Sequence, residues 1–295
     1  SLIFFIAGRN EFHDKGIDIY IKALGNLNEI LKKEKSKKTI VAFVWVPGNI
    51  RGIKQEILEN KTLYQDIKDA LEDEKDAVVQ NMLYSFASGK KISENYLFDE
   101  QFLTEMKVKT GKFRKKGKPP ILTHDLYDEN ETIVNAIRAA GLSNDEKDKV
   151  KIIYYPIYLS GADGILNLNY YESMQASHLG VFPSYYEPWG YTPLEAGALG
   201  VSSVTTDLAG FGRYFCSDCD VSDLKGIYVL KRLNRAYDDV VNQLTGVMHK
   251  FSLMTKEERI AGKLKARQIA STADWKSFIS HYIEAHNLAV ANLHL

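Results

Sequence analysis

The chain has 295 residues, and 45% of them are apolar, which is enough for one large or two small domains with a substantial core. Lys and Arg total 38, as do Asp and Glu, so the formal net charge is zero. This balance argues against nucleic acid as a partner, because nucleic-acid-binding domains carry a basic excess. No run of residues approaches the roughly 20 apolar positions of a membrane span, so we expect no membrane partner.

The start of the chain predicts a strand, a helix and a second strand. Leu2–Ala7 is continuously apolar, as in a parallel strand buried on both faces. Ile17–Leu31 repeats its apolar residues with a helical period, and Thr39–Val46 is β-branched and aromatic. This order predicts a parallel sheet with a right-handed crossover. The opening run lacks a basic leader and an initiator Met, so we interpret it as a strand of a fragment, not a signal peptide.

The alternation then breaks from about residue 52 to about residue 119, where the sequence is charged and helix-like. We interpret this stretch as a helical insertion, and its presence favours a homo-oligomer. A basic run, KFRKKGK, occupies 112–118. It reads as a solvated loop, with a polysaccharide or subunit contact as the alternative.

Strands and helices alternate again after the insertion. The predicted strands are Pro120–Thr123, Val150–Tyr155, Leu179–Pro183, Ser202–Thr206 and Gly226–Leu230. The predicted helices are Glu131–Ala140, Ala236–Phe251, Lys256–Ala270 and Trp275–Ala291. The whole predicts an α/β fold, a doubly wound parallel sheet over residues 1–272, followed by a separate helix over 273–295. Ligands of such sheets bind beyond the carboxyl ends of the strands.

The first motif at a strand end is GRNEFHDKG, from Gly8 to Gly16. Its glycines permit backbone conformations that other residues resist. Arg9 and Lys15 flank the amino terminus of the first long helix, where free N–H groups favour anions. An Arg fork and a Lys point charge are the usual partners of a diphosphate. The alternative is a charged loop without a ligand.

The second motif is EPWGYTPLE, which places Glu187 and Glu195 eight positions apart after a buried strand. We expect Thr192 to cap a helix whose first turn holds Pro193. The helix start would offer N–H groups to a phosphate, and the two carboxylates would accept hydrogen bonds from sugar hydroxyls. Taken singly, either acid could be an ordinary surface residue.

Histidines and cysteines carry less information. His124 and His178 read as structural residues. Cys216 and Cys219 have the spacing of a redox pair or half a zinc site, but no second Cys/His pair lies at a suitable spacing. We therefore expect two unpaired thiols in a loop and no metal site. So few cysteines fit a reducing compartment.

Three segments carry a resemblance to a known family. FIAGRNEFHDKGIDIYIKALGNLN, HLGVFPSYYEPWGYTPLEAGALG and TTDLAGFG closely resemble the eukaryotic-type glycogen synthases, family 3 glycosyltransferases, and their bacterial relatives. The resemblance covers nearly the whole chain, weakly through the insertion. It implies the GT-B architecture, in which two Rossmann-like domains face a cleft, and this chain matches only the carboxyl-terminal one. The helix over 273–295 is then expected to cross back toward the missing amino-terminal domain.

The resemblance also implies roles for individual residues. Arg9 and Lys15 match the residues that grip the donor diphosphate, and Glu187 matches an acid near the glucose, so these three are the expected catalytic residues. Tyr170 falls where the family places a tyrosine against the uracil ring, and Glu195 where it places an acid at the ribose. The expected donor-binding residues are Gly8, Tyr170, Trp189, Gly190, Tyr191, Thr192 and Glu195.

The chain departs from the family at Asn10, where Tyr is usual, and at Tyr155 and Ile157, where His and Glu are usual. These differences affect the nucleoside pocket more than the phosphate grip.

The implied reaction is retaining transfer of glucose from UDP-glucose to the non-reducing end of an α-1,4-glucan such as glycogen, in the cytoplasm. No metal or other cofactor is expected. Partners would be UDP-glucose, the glucan and the missing amino-terminal domain. The alternatives are another GT-B enzyme, such as a sucrose- or trehalose-forming transferase, and a noncatalytic nucleotide-binding or assembly module.

A last expectation concerns regulation. Residues 256–268, KEERIAGKLKARQ, match an Arg-rich helix that senses glucose 6-phosphate in animal and fungal members. Arg259 is retained, and it and Lys263 are weak candidates for such a site. Glu257 and Glu258 add negative charge, and Lys lacks the bidentate fork of Arg. We therefore expect strong activation by glucose 6-phosphate to be absent.

Overall fold

The computed structural model describes residues 1–114, 117–128, 130–216 and 226–293. The basic run at 112–118 is therefore described only in part, and Cys219 lies outside the described residues. Within the described ranges, no helix combines the length and the apolar character that crossing a membrane requires.

The secondary structure alternates between strands and helices on either side of a purely helical stretch. The strands are β1 (Leu2–Ala7), β2 (Ile40–Trp45), β3 (Ile50–Ile53), β4 (His124–Leu126), β5 (Val150–Tyr154), β6 (Leu179–Val181), β7 (Ser202–Thr206) and β8 (Ile227–Leu230). The helices are α1 (Ile17–Lys33), α2 (Gln55–Asp73), α3 (Lys75–Ser88), α4 (Glu94–Leu97), α5 (Glu100–Arg114), α6 (Thr132–Ala139), α7 (Tyr170–Gln175), α8 (Tyr191–Ala198), α9 (Gly210–Phe215), α10 (Tyr237–Leu253), α11 (Lys256–Ser271) and α12 (Trp275–Asn292).

The chain forms two compact units. One comprises Ser1–Arg51 with Pro120–Leu295, and the other comprises Gly52–Pro119. The second unit consists of α2 to α5 and covers the stretch where the sequence loses its strand–helix alternation. In α2 no residue is buried. The homo-oligomer expected from this insertion stays a prediction.

The first unit is built on a six-stranded sheet in the order β5-β2-β1-β6-β7-β8. Its strand pairs are parallel, which confirms the predicted doubly wound parallel sheet. The chain runs outward from β1 through β2 to β5, and then returns to β6 on the other side of β1. The carboxyl ends of β1 and β6 therefore define the topological switch point, where ligands of open α/β sheets bind.

Alternation along β1 separates the two faces of the sheet. Phe4 is buried in the cluster formed with α1, α6 and α10. Phe5 points the other way and stacks on Trp45 at 4.5 Å, with Phe182 edge-on at 5.6 Å, in the cluster that includes residues of α7 and α8. A strand covered on both faces must be apolar at every position, which explains the continuous run at the start of the sequence.

One predicted strand is wrong. Pro120–Thr123 does not form a strand of the main sheet; it makes only a single bridge, between Leu122 and Tyr154 at the end of β5. Pro120 has no N–H to donate to a ladder. The strand in this region is β4, which starts just after the predicted one, at His124. It pairs with β3 in a separate two-stranded sheet.

The carboxyl-terminal helix is present as α12, and none of its residues is buried. Its first turn is nevertheless anchored to the first unit, because the ring of Phe278 lies 5.5 Å from Trp189 and 5.1 Å from Tyr214. The expected crossing toward an amino-terminal domain stays a prediction.

Candidate functional site

A cavity of about 300 Å³ opens at the switch point of the sheet. Its lining includes Gly8, Arg9, Lys15, Ser184, Glu187, Tyr191, Thr192 and Pro193. The structure thus brings the loop after β1, the loop after β6 and the first turn of α8 to one place. Two cationic side chains and one carboxylate are among the described lining residues, so the cavity favours an anionic ligand.

The charged groups of this cavity are already paired with one another or with near neighbours. Lys15 Nζ donates to Glu187 Oε2 at 2.6 Å, and both side chains are mostly buried. Arg9 pairs with Glu11 at 3.0 Å, but its side chain remains 75% exposed. A ligand would therefore compete with an exposed ion pair at Arg9 and with a mostly buried one at Lys15.

The loop that carries Arg9 and Lys15 is held by backbone geometry. Gly16 has φ +68°, a conformation that L side chains resist, and a Cβ at this position would overlap the carbonyl of Pro183. The Tyr185 N–H also donates to the Asp14 carbonyl at 2.7 Å. These contacts join the loop after β1 to the loop after β6, so Lys15 and Glu187 meet in a defined register.

The loop that carries Glu187 is fixed from the other side. The N–H of Gly210, at the start of α9, donates to the Glu187 carbonyl at 3.1 Å. The Arg232 guanidinium donates to the Pro183 carbonyl and lies 4.9 Å above the ring of Tyr185. Arg232 is not predictable from the sequence, because a lone Arg after the last strand belongs to no recognisable motif.

The helix α8 begins two residues earlier than expected, at Tyr191. Gly190 is the N-cap residue, with φ +103° and no side-chain capping bond. The expectation that Thr192 caps the helix is therefore wrong: Thr192 lies within the first turn, as does Pro193. A left-handed N-cap lets the chain turn sharply at Gly190, which brings the first N–H groups of α8 to the wall of the cavity.

A second cavity, of about 350 Å³, adjoins the first. Four residues line both: Ala7, Gly8, Arg9 and Thr192. Its other walls are apolar or aromatic and comprise Trp45, Pro47, Ile157, Tyr158, Leu159 and Tyr170. A ligand whose charged part occupies the first cavity can therefore extend a flat, apolar part into the second.

Glu195 is connected to the second cavity by hydrogen bonds from two tyrosines, of which Tyr170 lines the cavity. The Tyr170 hydroxyl donates to Glu195 Oε2 at 3.1 Å, and the Tyr171 hydroxyl donates to Oε1 at 3.4 Å. Burial, and then the Glu195 carboxylate, raise the pKa of Tyr170, so the phenol keeps its proton and remains a donor. Tyr171 was not among the predicted site residues. The Asn169-x-x-Glu172 capping box, which can be recognised in the sequence, places Tyr171 in the first turn of α7, next to Tyr170.

Trp189 lies apart from this group. Its ring packs against Phe211, Tyr214 and Phe278, so its side chain serves the anchoring of α12. Its carbonyl accepts a hydrogen bond from the Phe211 N–H at 2.6 Å. Tyr191, by contrast, lines the first cavity and is 71% exposed.

The two histidines have packed surroundings. His178 Nδ1 accepts the Ile3 N–H at 3.1 Å, and burial, with Lys263 and Arg259 nearby, lowers the pKa of His178. His124 Nδ1 lies 2.8 Å from Thr123 Oγ1, and burial lowers the pKa of His124 as well. Neither lines the cavities described above, in agreement with a structural interpretation.

The candidates for regulation lie on α11, outside these cavities. The Arg259 guanidinium donates to the Met254 carbonyl at 2.6 Å. Glu258 forms a capping box with Thr255 at the start of the helix. Glu258, one of the acids that distinguish this segment from an Arg-rich helix, thus stabilises the start of α11.

Cys216 follows α9, is buried and is disulfide-bonded. This corrects the expectation of an unpaired thiol at this position; the expectation for Cys219 falls outside the described residues. Among the described residues, no group of three or more His, Cys, Asp or Glu lies close enough to hold a metal ion.

The fold and the cavities define a doubly wound α/β protein with a cationic pocket at its switch point. A family model described as glycogen synthase matches residues 1–295, and the chain belongs to that family. It is 35% identical to "Glycogen [starch] synthase" of Neurospora crassa over 98% of this chain. It is 34% identical to "Glycogen [starch] synthase, liver" of Rattus norvegicus over 99% of this chain.

The chain spans 42% of the length of each of these two relatives. Among solved structures, it is similar to WaaG, a glycosyltransferase involved in lipopolysaccharide biosynthesis, with a TM-score of 0.41 and 18% identity. That similarity covers 93% of this chain and 44% of WaaG.

Proposed function

We propose that this chain is the donor-binding half of a retaining glucosyltransferase that moves glucose from UDP-glucose to the non-reducing end of an α-1,4-glucan. One observation carries the proposal: Arg9, Lys15, Glu187 and the first turn of α8 line a single cavity at the switch point. The acceptor glucan would bind largely to an amino-terminal domain, so the isolated chain should bind nucleotide weakly and extend glucan little or not at all.

The proposed chemistry is stabilisation of the leaving diphosphate. Negative charge builds on the phosphate oxygens as the bond to the anomeric carbon breaks. Arg9, Lys15 and the N–H groups at the start of α8 supply positive charge and hydrogen bonds at that place. Preorganised groups of this kind are worth about 10²- to 10³-fold in rate each.

Glu187 has two proposed roles, one toward Lys15 and one toward the sugar. In this structure it pairs with Lys15 at 2.6 Å. When a diphosphate binds, Lys15 exchanges the carboxylate for phosphate oxygens, and Glu187 is released toward the sugar, where its charge stabilises an oxocarbenium-like centre. Retention then follows from attack on the same face, with the departing phosphate taking the proton from the acceptor hydroxyl.

The nucleoside is proposed to occupy the second cavity. Tyr170 forms part of its aromatic wall, and a flat base is complementary to that wall. Glu195, which accepts hydrogen bonds from Tyr170 and Tyr171, is proposed to accept one from a ribose hydroxyl as well. The lack of any metal or further cofactor, the cytoplasmic location, the glucan partner and the homo-oligomer stay predictions.

Calorimetric titration with UDP tests the proposal. The unaltered chain should bind UDP, and Arg9→Ala should weaken binding about 10- to 100-fold, because a hydrogen bond to a charged group is worth about 1.5–3 kcal/mol. Arg235→Ala, at an exposed position beyond β8, is the matched control and should leave binding unchanged. Absence of heat with UDP would favour the noncatalytic assembly module.

A donor and acceptor assay on the full-length enzyme separates the remaining alternatives. UDP-glucose and ADP-glucose are compared as donors, and an α-1,4-glucan is compared with small sugars as acceptors. Arg9→Ala and Glu187→Ala should each lower glucan extension. Transfer to a small sugar in place of glucan would identify the protein as another glucosyltransferase and refute this proposal.

A further inference from the structure

The second cavity owes one wall to a segment without regular secondary structure. Ile157, Tyr158 and Leu159 lie near the start of residues 155–169, which connect β5 to α7. Loops of this length without secondary structure of their own are uncommon in compact domains and usually serve a function. A wall built on such a loop keeps its shape only if something fixes the loop.

Asp163 fixes it. Its Oδ1 accepts hydrogen bonds from the N–H groups of Ile165 at 2.8 Å, Leu166 at 2.9 Å and Asn167 at 3.2 Å. The same oxygen accepts the Tyr155 hydroxyl at 2.7 Å. One carboxylate oxygen therefore closes the turn of the loop and ties it to the end of the strand.

Tyr155 is a rigid point of attachment. Its side chain is 1% exposed, and its ring lies edge-on to His124 with centroids 5.7 Å apart. Burial raises the pKa of Asp163, but the hydrogen bonds from Tyr155 and the loop amides outweigh it and hold the pKa below its ordinary value. The carboxylate is therefore ionised at neutral pH, and its charge strengthens each of these bonds.

The hydrogen bonds of Asp163 are concentrated on one oxygen. Oδ2 is buried and makes no hydrogen bond with the described residues, whereas Oδ1 accepts all four bonds described above. Removal of this one side chain would therefore release the loop amides and the Tyr155 hydroxyl together.

We propose that Asp163 is a positioning residue for nucleotide recognition, which acts through Tyr155 and the loop amides to hold Ile157–Leu159 and Tyr170 around the nucleoside base. The inference rests on the proposed function of the two cavities. Asp163 does not itself touch the ligand. The Arg9 and Lys15 cavity is held by other contacts, through Gly16, Arg232 and α9, so grip on the diphosphate is independent of Asp163.

The experiment compares two ligands, UDP and inorganic pyrophosphate, by calorimetric titration of the purified chain. Asp163→Ala should weaken UDP binding on the order of tenfold, the size expected for losing the stacking of one base. It should change pyrophosphate binding less than about twofold, since distant contacts act independently. Tyr155→Phe removes only the hydroxyl, keeps the buried ring, and should shift UDP binding in the same direction by a smaller factor.

The matched control is Asp148→Asn. Asp148 is a buried carboxylate that likewise ties a loop, through Asn28 and the Asp145 N–H, but it lies at the opposite end of β5. It should lower thermal stability without changing the ratio of UDP to pyrophosphate affinity. That ratio is the deciding measurement, because a loss of folding moves both affinities together.

Three results would count against the inference or its basis. An equal loss of both ligands in Asp163→Ala and Tyr155→Phe would overturn it, as would UDP binding unchanged in both. If Asp163→Ala does not fold, Tyr155→Phe decides alone by the same ratio. If the unaltered chain fails to bind UDP, the proposed function itself falls, which is a different outcome from UDP binding that ignores Asp163.

Discussion

Lys15 and Glu187, which are 172 positions apart in the sequence, form an ion pair at 2.6 Å between Nζ and Oε2. The pair joins the loop after β1 to the loop after β6 across the switch point of the sheet. Glu187 therefore pairs with a cation that the proposed diphosphate would also need. Binding of the diphosphate is therefore a competition with an internal carboxylate.

Glu187→Gln should separate binding from transfer. Removing one negative charge beside Lys15 should tighten pyrophosphate binding roughly fivefold, since a charge pair at 4 Å in water is worth about 1 kcal/mol. Glucosyl transfer by the full-length enzyme should fall on the order of a hundredfold. Calorimetry and an initial-rate assay measure the two effects. Glu29→Gln, which breaks the Lys32 pair on α1, should change neither, and weaker pyrophosphate binding in Glu187→Gln would contradict the competition.

Gly16→Ala should destabilise the fold and Gly246→Ala should not. At Gly16 an alanine meets both a left-handed backbone, which disfavours L residues by about 1–2 kcal/mol, and the Pro183 carbonyl. At Gly246, in the exposed face of α10, nothing lies within 4 Å of an added Cβ, so alanine should add about 0.5–1 kcal/mol of stability. Urea unfolding measures both. Equal effects of the two substitutions would show that the register between the site loops does not depend on Gly16.

Acidification should destabilise the protein partly through His178. Burial, with help from Lys263 and Arg259, lowers the pKa of His178 in the folded state from its ordinary 6.5. The unfolded chain then binds the proton more readily, so stability is present above about pH 6.5 and is lost as the pH falls through that value, by at most about 1.4 kcal/mol per pH unit for one proton.

His178→Asn should flatten this dependence, because an amide oxygen can still accept the Ile3 N–H but cannot titrate. Unfolding free energies from about pH 7.5 to about pH 5.5 measure it. The remaining slope should come in part from His124, whose pKa is also lowered by burial. His286→Asn, on the exposed face of α12, is the control. An unchanged slope in His178→Asn would show that this histidine does not couple to folding.

Glucose 6-phosphate should activate the full-length enzyme weakly or not at all. Arg259 is engaged with the Met254 carbonyl at 2.6 Å, and Glu258 is held in the capping box of α11. Glu257 adds a further negative charge in the first turn, and like charges repel a phosphate. Initial rates with and without glucose 6-phosphate check this, and a large increase would refute it.

Much of the fold is readable from local patterns. Leu2–Ala7 is a strand with the bounds that its apolar run predicts, and α1 begins at Ile17 as expected. These elements are buried on both faces or on one stripe, so burial is written directly into the residue types. The false strand at Pro120–Thr123 and the misplaced cap at Thr192 have a different origin. Pairing at a sheet edge and backbone conformation at Gly190 depend on neighbours distant in the chain.

The residues of the site also fall into those that the sequence predicts and those that it does not. Arg9, Lys15 and Glu187 could be chosen in advance because each follows a predicted strand, and the carboxyl ends of parallel strands meet at one edge. Which charges face each other, and the parts of Arg232 and Asp163, could not be chosen, because both act through backbone carbonyls and amides that no side-chain pattern records. The sequence by itself therefore predicts most secondary-structure elements and the charged residues at their ends. The pairing of Lys15 with Glu187 depends on the tertiary structure, because it forms only when the loops after β1 and β6 pack together.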